Sequence, residues 1–331
     1  MKPKQWQVAI TDDIQTYHEI VRNLNERLGA DIEIVPAVTR TPQEFIASTR
    51  RCHALVGGDY QIGREVIEQL ECCLIIAQNG VGYDHIDLEA AGQQGIRVTN
   101  VPDYGSGEVA VHALTLMLAL ARRLPMYDKI VRAGCWDKLG AGKILRLSEA
   151  TLGILGLGRI GRSLAKQASA LECRIIASDP YVPVEVFAEY NVKSVDLPTL
   201  VTESDYLALC ANYTPETHHL IGANEFAQMK STTVLVNTAR GKLMDEQALI
   251  EALKSRQIAA AGLDVFTQEP LPLDSPLRTL DNVILTPHAA WYSVGSLRAQ
   301  AARTANEVTL ALTGKPSNYA LVDPPLLFNR L

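Results

Sequence analysis

No block of basic residues occurs anywhere in the chain, and its formal net charge is −6 over 331 residues. Binding a phosphate backbone ordinarily leaves a Lys/Arg footprint, so nucleic acid is not an expected partner, and neither is an anionic membrane surface. Cys-x-x-Cys pairs are missing as well. The cysteines (Cys52, Cys72, Cys73, Cys135, Cys173, Cys210) sit mostly in apolar runs such as ECCLIIA and LECRIIA. That placement fits free thiols in a reducing compartment better than a disulfide framework. No apolar leader follows Met1, and a cytoplasmic location is expected. The most apolar helical stretch, Val109 to Ala121, is interrupted by His112 and Thr115 and is too short to cross a bilayer. No His-x-His or His-Glu-x-x-His spacing occurs, so no metal is expected. Repeats and low-complexity segments are also lacking.

What the chain does have is alternation. Hydrophobic residues make up 47% and charged residues 21%, as in ordinary globular proteins, and the length suggests two domains. Short apolar runs predict strands at QVAIT, DIEIVPAV, ALVGGD, LIIAQNG and IRVTNV, with Ile14 to Leu28 helical. A long helical pattern from Gly107 to Gly134 follows, with a break expected at Pro125. TLGILGLG, CRIIASD, YLALCAN, TVLVNTA, AAGLDVF and NVILTPH are further strands, with helices between most of them and a last helix over Val294 to Leu312. The tail from Lys315 holds three prolines and reads as irregular. This is the βαβα rhythm of parallel sheets, repeated in two α/β units.

The second unit carries a glycine fingerprint. Gly156-Leu-Gly158-Arg-Ile-Gly161 follows the strand TLGIL and opens a helix. The first glycine permits the tight turn, the second lets the backbone approach a pyrophosphate, and the third lets helix pack on strand. The helix N-terminus then offers free N–H groups to the phosphates. A glycine triplet alone is a weak signal. Here the next strand, RIIAS, ends in Asp179, at about the spacing of a ribose-binding acid. Asp179 would accept from ribose hydroxyls and repel a 2′-phosphate, which predicts NAD over NADP.

Three residues at strand ends of the same unit suit the reduction of a 2-oxo acid. Arg240, in Asn-Thr-Ala-Arg-Gly, is a permanent cation whose planar fork matches a carboxylate. His288, in Thr-Pro-His-Ala-Ala, is a proton donor, and Glu269, in Gln-Glu-Pro, is a carboxylate that would favour its charged form. Taken singly, each is equally a solvated loop residue, a packed histidine or turn chemistry. The other histidines, His112 among them, lack this placement at a strand end.

Together the segments NGVGYDHIDLEAA, GILGLGRIG with SDP, VNTARG, GLDVFTQEP and LTPHAAW resemble the D-isomer-specific 2-hydroxyacid dehydrogenase family, in order and over nearly the whole chain. The resemblance implies two Rossmann-like α/β domains with a cleft between them. The coenzyme domain (101–292) is inserted into a flavodoxin-like substrate domain (1–100 plus 293–331). It implies an NAD-dependent oxidoreductase acting on a small 2-oxo or 2-hydroxy acid, and a homodimer with the helix after Gly107 in the subunit contact. Arg240 would bind the carboxylate and carbonyl, His288 would be the acid/base, and Glu269 would orient it and raise its pKa. Val81 and Gly82 would offer N–H groups to the substrate. Arg159 and Ile160 would meet the pyrophosphate and Asp179 the adenosine ribose. Thr238 would lie by the nicotinamide ribose, and Asp264 would bind the carboxamide. Val109, Cys210, Thr214, Ala239 and Trp291 complete the cofactor contacts it implies, with Arg240 and His288 touching the nicotinamide end.

The chain departs from the family pattern in two places. Many members have His-x-Pro before Thr-Pro-Glu-Thr, where this chain reads Cys210-Ala211-Asn212-Tyr213-Thr214. After His288 the run Ala-Ala-Trp-Tyr is similar to the carboxy-terminal binding proteins, which include NAD-sensing corepressors. Trp291 would then shape the substrate pocket, unless it only packs. An NAD(H)-sensing binding protein is therefore the alternative expectation; with the sequence ending at Leu331, no long partner-binding tail or added regulatory domain is expected. A third possibility is a relative acting on another small anion, such as phosphite or formate, chemistries that keep the same cleft.

Overall fold

The computed structural model describes residues 5–11, 15–38, 40–58 and 60–325. The chain forms two compact units, one of Met1–Gly105 with Ser293–Leu331 and one of Ser106–Tyr292. The expected junction at 100/101 falls inside a loop that unit 1 holds: Asn100 Nδ2 donates to Val81 O (2.8 Å) and Val101 N to Gly80 O (2.9 Å).

Among the described residues, twelve strands precede the last helix. β1 (Trp6–Thr11), β2 (Ile32–Ala37), β3 (Ala54–Gly57), β4 (Ile75–Gln78) and β5 (Arg97–Thr99) come first. β6 (Thr151–Leu155), β7 (Arg174–Ser178), β8 (Lys193–Ser194), β9 (Tyr206–Leu209), β10 (Val234–Asn237), β11 (Ala260–Leu263) and β12 (Val283–Leu285) follow. One more, β13 (Ala320–Val322), lies in the tail.

Unit 1 orders its sheet β13-β5-β4-β3-β1-β2, with only β13 antiparallel. The inner strands β3, β4 and β5 are parallel and buried at every residue, which is why their segments read as apolar runs. Val8 and Ile10 face one core with Leu24, Ala305 and Val308, while Ala9 faces the other with Phe45 and Ile67. The helix Val294–Leu312, capped by Ser293, packs on the helix Tyr17–Leu28.

Unit 2 orders its sheet β12-β11-β10-β9-β6-β7-β8, parallel throughout. Tyr206 and Ala208 belong to one core and Leu207 and Leu209 to the other, the period-two signature of a sheet buried on both sides. Chain order reverses at β6, with β7 on one side and β9 on the other; in such sheets ligands bind at the strand carboxyl ends beside that reversal. The glycine turn after β6 lies there.

Two expectations change. The helical pattern from Gly107 breaks before Pro125: one helix spans Ser106–Ala121 and a second spans Leu124–Arg132. Arg123 is left-handed (φ 55°) and makes the break, while Pro125 sits in the first turn of the next helix, where its missing N–H costs nothing. The tail is not wholly irregular, because β13 pairs with β5. Beside it the buried Arg97 donates to Asp323 Oδ1 (2.6 Å) and to Lys315 O (2.9 Å). Among the described residues no single helix is long and apolar enough to cross a membrane.

Candidate active site

The turn after β6 is built from its glycines. Gly156 has φ +91°, and a Cβ there would stand 2.6 Å from the Ala211 backbone. A Cβ on Gly161 would stand 2.2 Å from Gly156 O, so the helix Arg159–Ala168 packs directly on the turn. At Gly158, the N-cap of that helix, a Cβ would meet nothing within 4 Å. An open glycine at a helix N-terminus is the cradle a pyrophosphate requires. Arg159 and Ile160 open the helix, with Arg159 exposed.

Asp179 ties the two strand ends together. Its Oδ2 accepts from Leu157 N (2.8 Å) and its Oδ1 from Tyr181 N (3.0 Å). Each oxygen keeps a lone pair for a ribose hydroxyl. Tyr181 donates to Glu216 Oε2 (2.5 Å), and that bond, with the charge of Glu216, raises the phenol's pKa. Cys210 directly follows β9 with its N–H on Leu155 O (2.7 Å), and burial pushes its thiol up to about 12, so it is neutral at physiological pH. Thr214 N donates to Thr217 Oγ1 (2.7 Å), closing the following turn. These residues fit a dinucleotide's adenosine and phosphate end.

A second group forms at the ends of β10, β11 and β12. The fully buried Asn237 closes the Arg240 turn on itself: its Nδ2 donates to Arg240 O (2.9 Å) and its Oδ1 accepts from Ala239 N (3.0 Å). Thr238 is buried and Ala239 half-buried beside it. Gly241 admits no side chain, since a Cβ would lie 2.0 Å from the Phe266 carbonyl carbon. The Arg240 turn is thereby set against the chain leading to Glu269.

His288 Nδ1 and Glu269 Oε2 are 2.6 Å apart, and Glu269 Oε1 accepts from Phe266 N (2.9 Å). Burial pushes the Glu269 carboxyl up. The His288 bond and charge, the Phe266 N–H and the charge of Arg240 outweigh it and hold the carboxyl below its usual range. His288 itself is left-handed (φ 53°), with its N–H on Asp264 O (2.8 Å).

Asp264 is fully buried, and both of its oxygens serve the histidine turn. Oδ1 accepts from Thr286 Oγ1 (2.5 Å) and Ala289 N (2.9 Å), and Oδ2 from Ala290 N (2.9 Å). His112 reaches Thr286 Oγ1 from the helix Ser106–Ala121 (3.0 Å). The local sequence gives His112 little weight. The only available hint was that it interrupts an apolar helix, and its partner lies 174 residues away. Half-buried Trp291 stands edge-on to exposed Tyr292, with ring centroids 5.9 Å apart. Val109 is half-buried in the first turns of the same helix as His112.

Unit 2 thus gathers Arg240, Asp264, Glu269 and His288 into one cluster, and Gly156, Gly158, Gly161 and Asp179 into another. Val81 and Gly82 belong to unit 1, on the loop after β4. Among the described residues no cluster of His, Cys, Asp and Glu could hold a metal ion.

The chain is similar to known proteins. Residues 114–290 match the model of the D-isomer specific 2-hydroxyacid dehydrogenase NAD binding domain. A D-3-phosphoglycerate dehydrogenase of Methanocaldococcus jannaschii is 39% identical over 310 residues, 93% of this chain and 58% of that protein. The chain spans about half the length of the two archaeal phosphoglycerate dehydrogenases it matches, 58% and 49%. A glyoxylate reductase of Pyrococcus horikoshii is 40% identical over 276 residues, 82% of this chain and 80% of that one. The structure of a D-lactate dehydrogenase from Aquifex aeolicus, complexed with NAD and lactic acid, superposes with a TM-score of 0.84 at 28% identity, covering 96% of this chain and 99% of that one. The glycine turn, the two carboxylate–histidine strand ends and these matches together place the chain in the D-isomer-specific 2-hydroxyacid dehydrogenase family.

Proposed function

We propose that the protein is an NAD-dependent oxidoreductase that interconverts a small 2-oxo acid and the D-2-hydroxy acid. The observation that carries this reading is the 2.6 Å contact of His288 with Glu269, within the field of Arg240. The bound coenzyme supplies the hydride in reduction and accepts it in oxidation. Glu269 accepts from Nδ1, which fixes that proton and leaves Nε2 to face the substrate oxygen. The carboxylate also favours the imidazolium, so His288 can donate a proton in reduction and take one back in oxidation. Arg240 holds the substrate carboxylate and stabilises charge growing on the carbonyl oxygen. Val81 and Gly82 offer N–H groups to the carboxylate. Asp179 accepts from the adenosine ribose and disfavours a 2′-phosphate. We further propose Met1–Gly105 with Ser293–Leu331 as the substrate-binding part and Ser106–Tyr292 as the coenzyme part, a cytoplasmic location, and a homodimer. Exposed Trp136 and Leu139, after the helix Leu124–Arg132, support the dimer as surface a second copy would cover.

Purified protein should oxidise NADH with at least one of glyoxylate, hydroxypyruvate, pyruvate and phenylpyruvate. Arg240→Ala and His288→Ala should each cut turnover by about 10²-fold or more while NADH still binds. NADH should bind more tightly than NADPH in a fluorescence titration, and the opposite order would refute the role given to Asp179. NADH binding without turnover on any acid would refute the enzyme and favour a dinucleotide-gated binding protein.

A further inference from the structure

Unit 1 contains a buried polar network that its hydrophobic cores do not need. It converges on Asn79, Gly80 and Val81, directly after β4. Asn79 N donates to Gly57 O (2.8 Å) and its carbonyl accepts from Gln300 Nε2 (2.7 Å). Its side chain accepts from Thr304 Oγ1 (2.9 Å) and donates to Thr16 Oγ1 (2.7 Å). The Gly80 carbonyl accepts from Val101 N (2.9 Å), and the Val81 carbonyl from Asn100 Nδ2 (2.8 Å). Asn100, Gln300 and Thr304 are only 6%, 3% and 1% exposed. Polar groups buried this deeply add little net stability even when paired, and apolar groups of the same shape would serve a core as well.

The bonding has a directional result. In a planar trans peptide the C=O and N–H point to opposite sides. Three successive carbonyls, of Asn79, Gly80 and Val81, are bound by groups of unit 1. Each of the N–H groups of Gly80, Val81 and Gly82 therefore points away from the unit 1 group that binds the carbonyl before it, and none of them donates to another described residue. Successive N–H groups pointing together form a concavity for an anion.

We propose that Asn79, Asn100 and Gln300 are positioning residues that aim these N–H groups at the carboxylate of the 2-oxo acid, with Gly80 as a third donor beside Val81 and Gly82. This rests on the carboxylate role given to Val81 and Gly82 above. Thr16 and Thr304 fix the side chain of Asn79, so the last helix takes part in substrate affinity without touching substrate.

The test is a kinetic split on whichever of glyoxylate, hydroxypyruvate or pyruvate the wild type reduces fastest, at saturating NADH. Asn100→Ala releases the Val81 carbonyl. It should raise KM for the acid about tenfold, the loss of one well-aimed donor to a charged acceptor, with kcat changed less than about twofold. NADH affinity, by fluorescence titration, should not move. Gln300→Met keeps the side-chain length, removes the donor to Asn79 O, and should show the same split; it decides the matter alone if Asn100→Ala does not fold. Asn282→Ala is the structural control. That asparagine is equally buried, 6% exposed, and donates to Leu253 O and Ala259 O in unit 2. It should lower the melting temperature and leave KM unchanged. Unchanged KM in the two unit 1 variants, or an equal rise in Asn282→Ala, overturns the positioning role while the proposed reaction stands. A wild type that reduces none of the acids overturns both.

Discussion

Replacing Asp264 with asparagine should separate positioning from binding at the histidine turn. The carboxylate accepts from Thr286 Oγ1, Ala289 N and Ala290 N, and its own backbone oxygen holds His288 N. An amide has one acceptor oxygen. In its better orientation it keeps Thr286 and Ala289 and turns an NH2 group toward Ala290 N–H. One charge-assisted bond, worth about 1.5–3 kcal/mol, is lost, and the two that remain weaken. Relief from burying a charge offsets part of this, leaving a net cost of about 2 kcal/mol, or roughly 5 °C in melting temperature for a domain of this size. Catalysis should suffer more, because the residue between the displaced turn and the substrate is His288. A misplacement of about 1 Å costs on the order of 10²-fold in rate. The assay is NADH consumption under saturating acid, paired with NADH titration and thermal melting. A kcat within about threefold of wild type would refute the positioning role. A large loss of NADH affinity with kcat retained would instead favour a direct carboxamide contact by Asp264.

Further outcomes follow from the same geometry. Glu269 has a folded-state value below its ordinary one near 4.5, so it adds stability above that pH and loses it as pH falls through the lower folded value. Wild type and Glu269→Gln should therefore differ in melting temperature near neutrality and converge below about pH 4.5; a constant gap down to pH 3 would refute this. Gly161→Ala, whose Cβ would meet Gly156 O at 2.2 Å, should cost about 1–3 kcal/mol of stability and weaken NADH at least about tenfold. Gly158→Ala has open space around it and should weaken NADH as much while leaving thermal stability near wild type, a contrast that melting and titration resolve directly.

Much of this was legible in sequence because parallel strands buried on both faces announce themselves. β6, β9, β10 and β11 are buried at every residue and appear as apolar runs bounded by loop chemistry. The helix Val294–Leu312 was bounded correctly because Ser293 caps it, its hydroxyl accepting from Ser296 N. What was not legible depends on distant partners. β13 is three residues long and is held by β5 and by Arg97, more than 200 positions earlier. Pro125 looks like a breaker in sequence, but proline in a first turn starts a helix, and left-handed Arg123 does the breaking. His112 could not be paired with Thr286, nor Asn100 with Val81, by any local pattern. The same holds for the three bonds that buried Asp264 accepts from Thr286, Ala289 and Ala290, which no local pattern announces.

The split of unit 1 across the chain has a consequence for its synthesis. Ser106–Tyr292 is continuous and can collapse as it leaves the ribosome, whereas the earlier strands must wait. Until Ser293 and its helix emerge, Val8, Ile10 and Leu24 have no cover from Ala305 and Val308, and until β13 arrives the edge of β5 is open to any passing strand. Residues 1–105 are thus the segment most in need of a chaperone, and the one most exposed to mispairing when translation stalls midway.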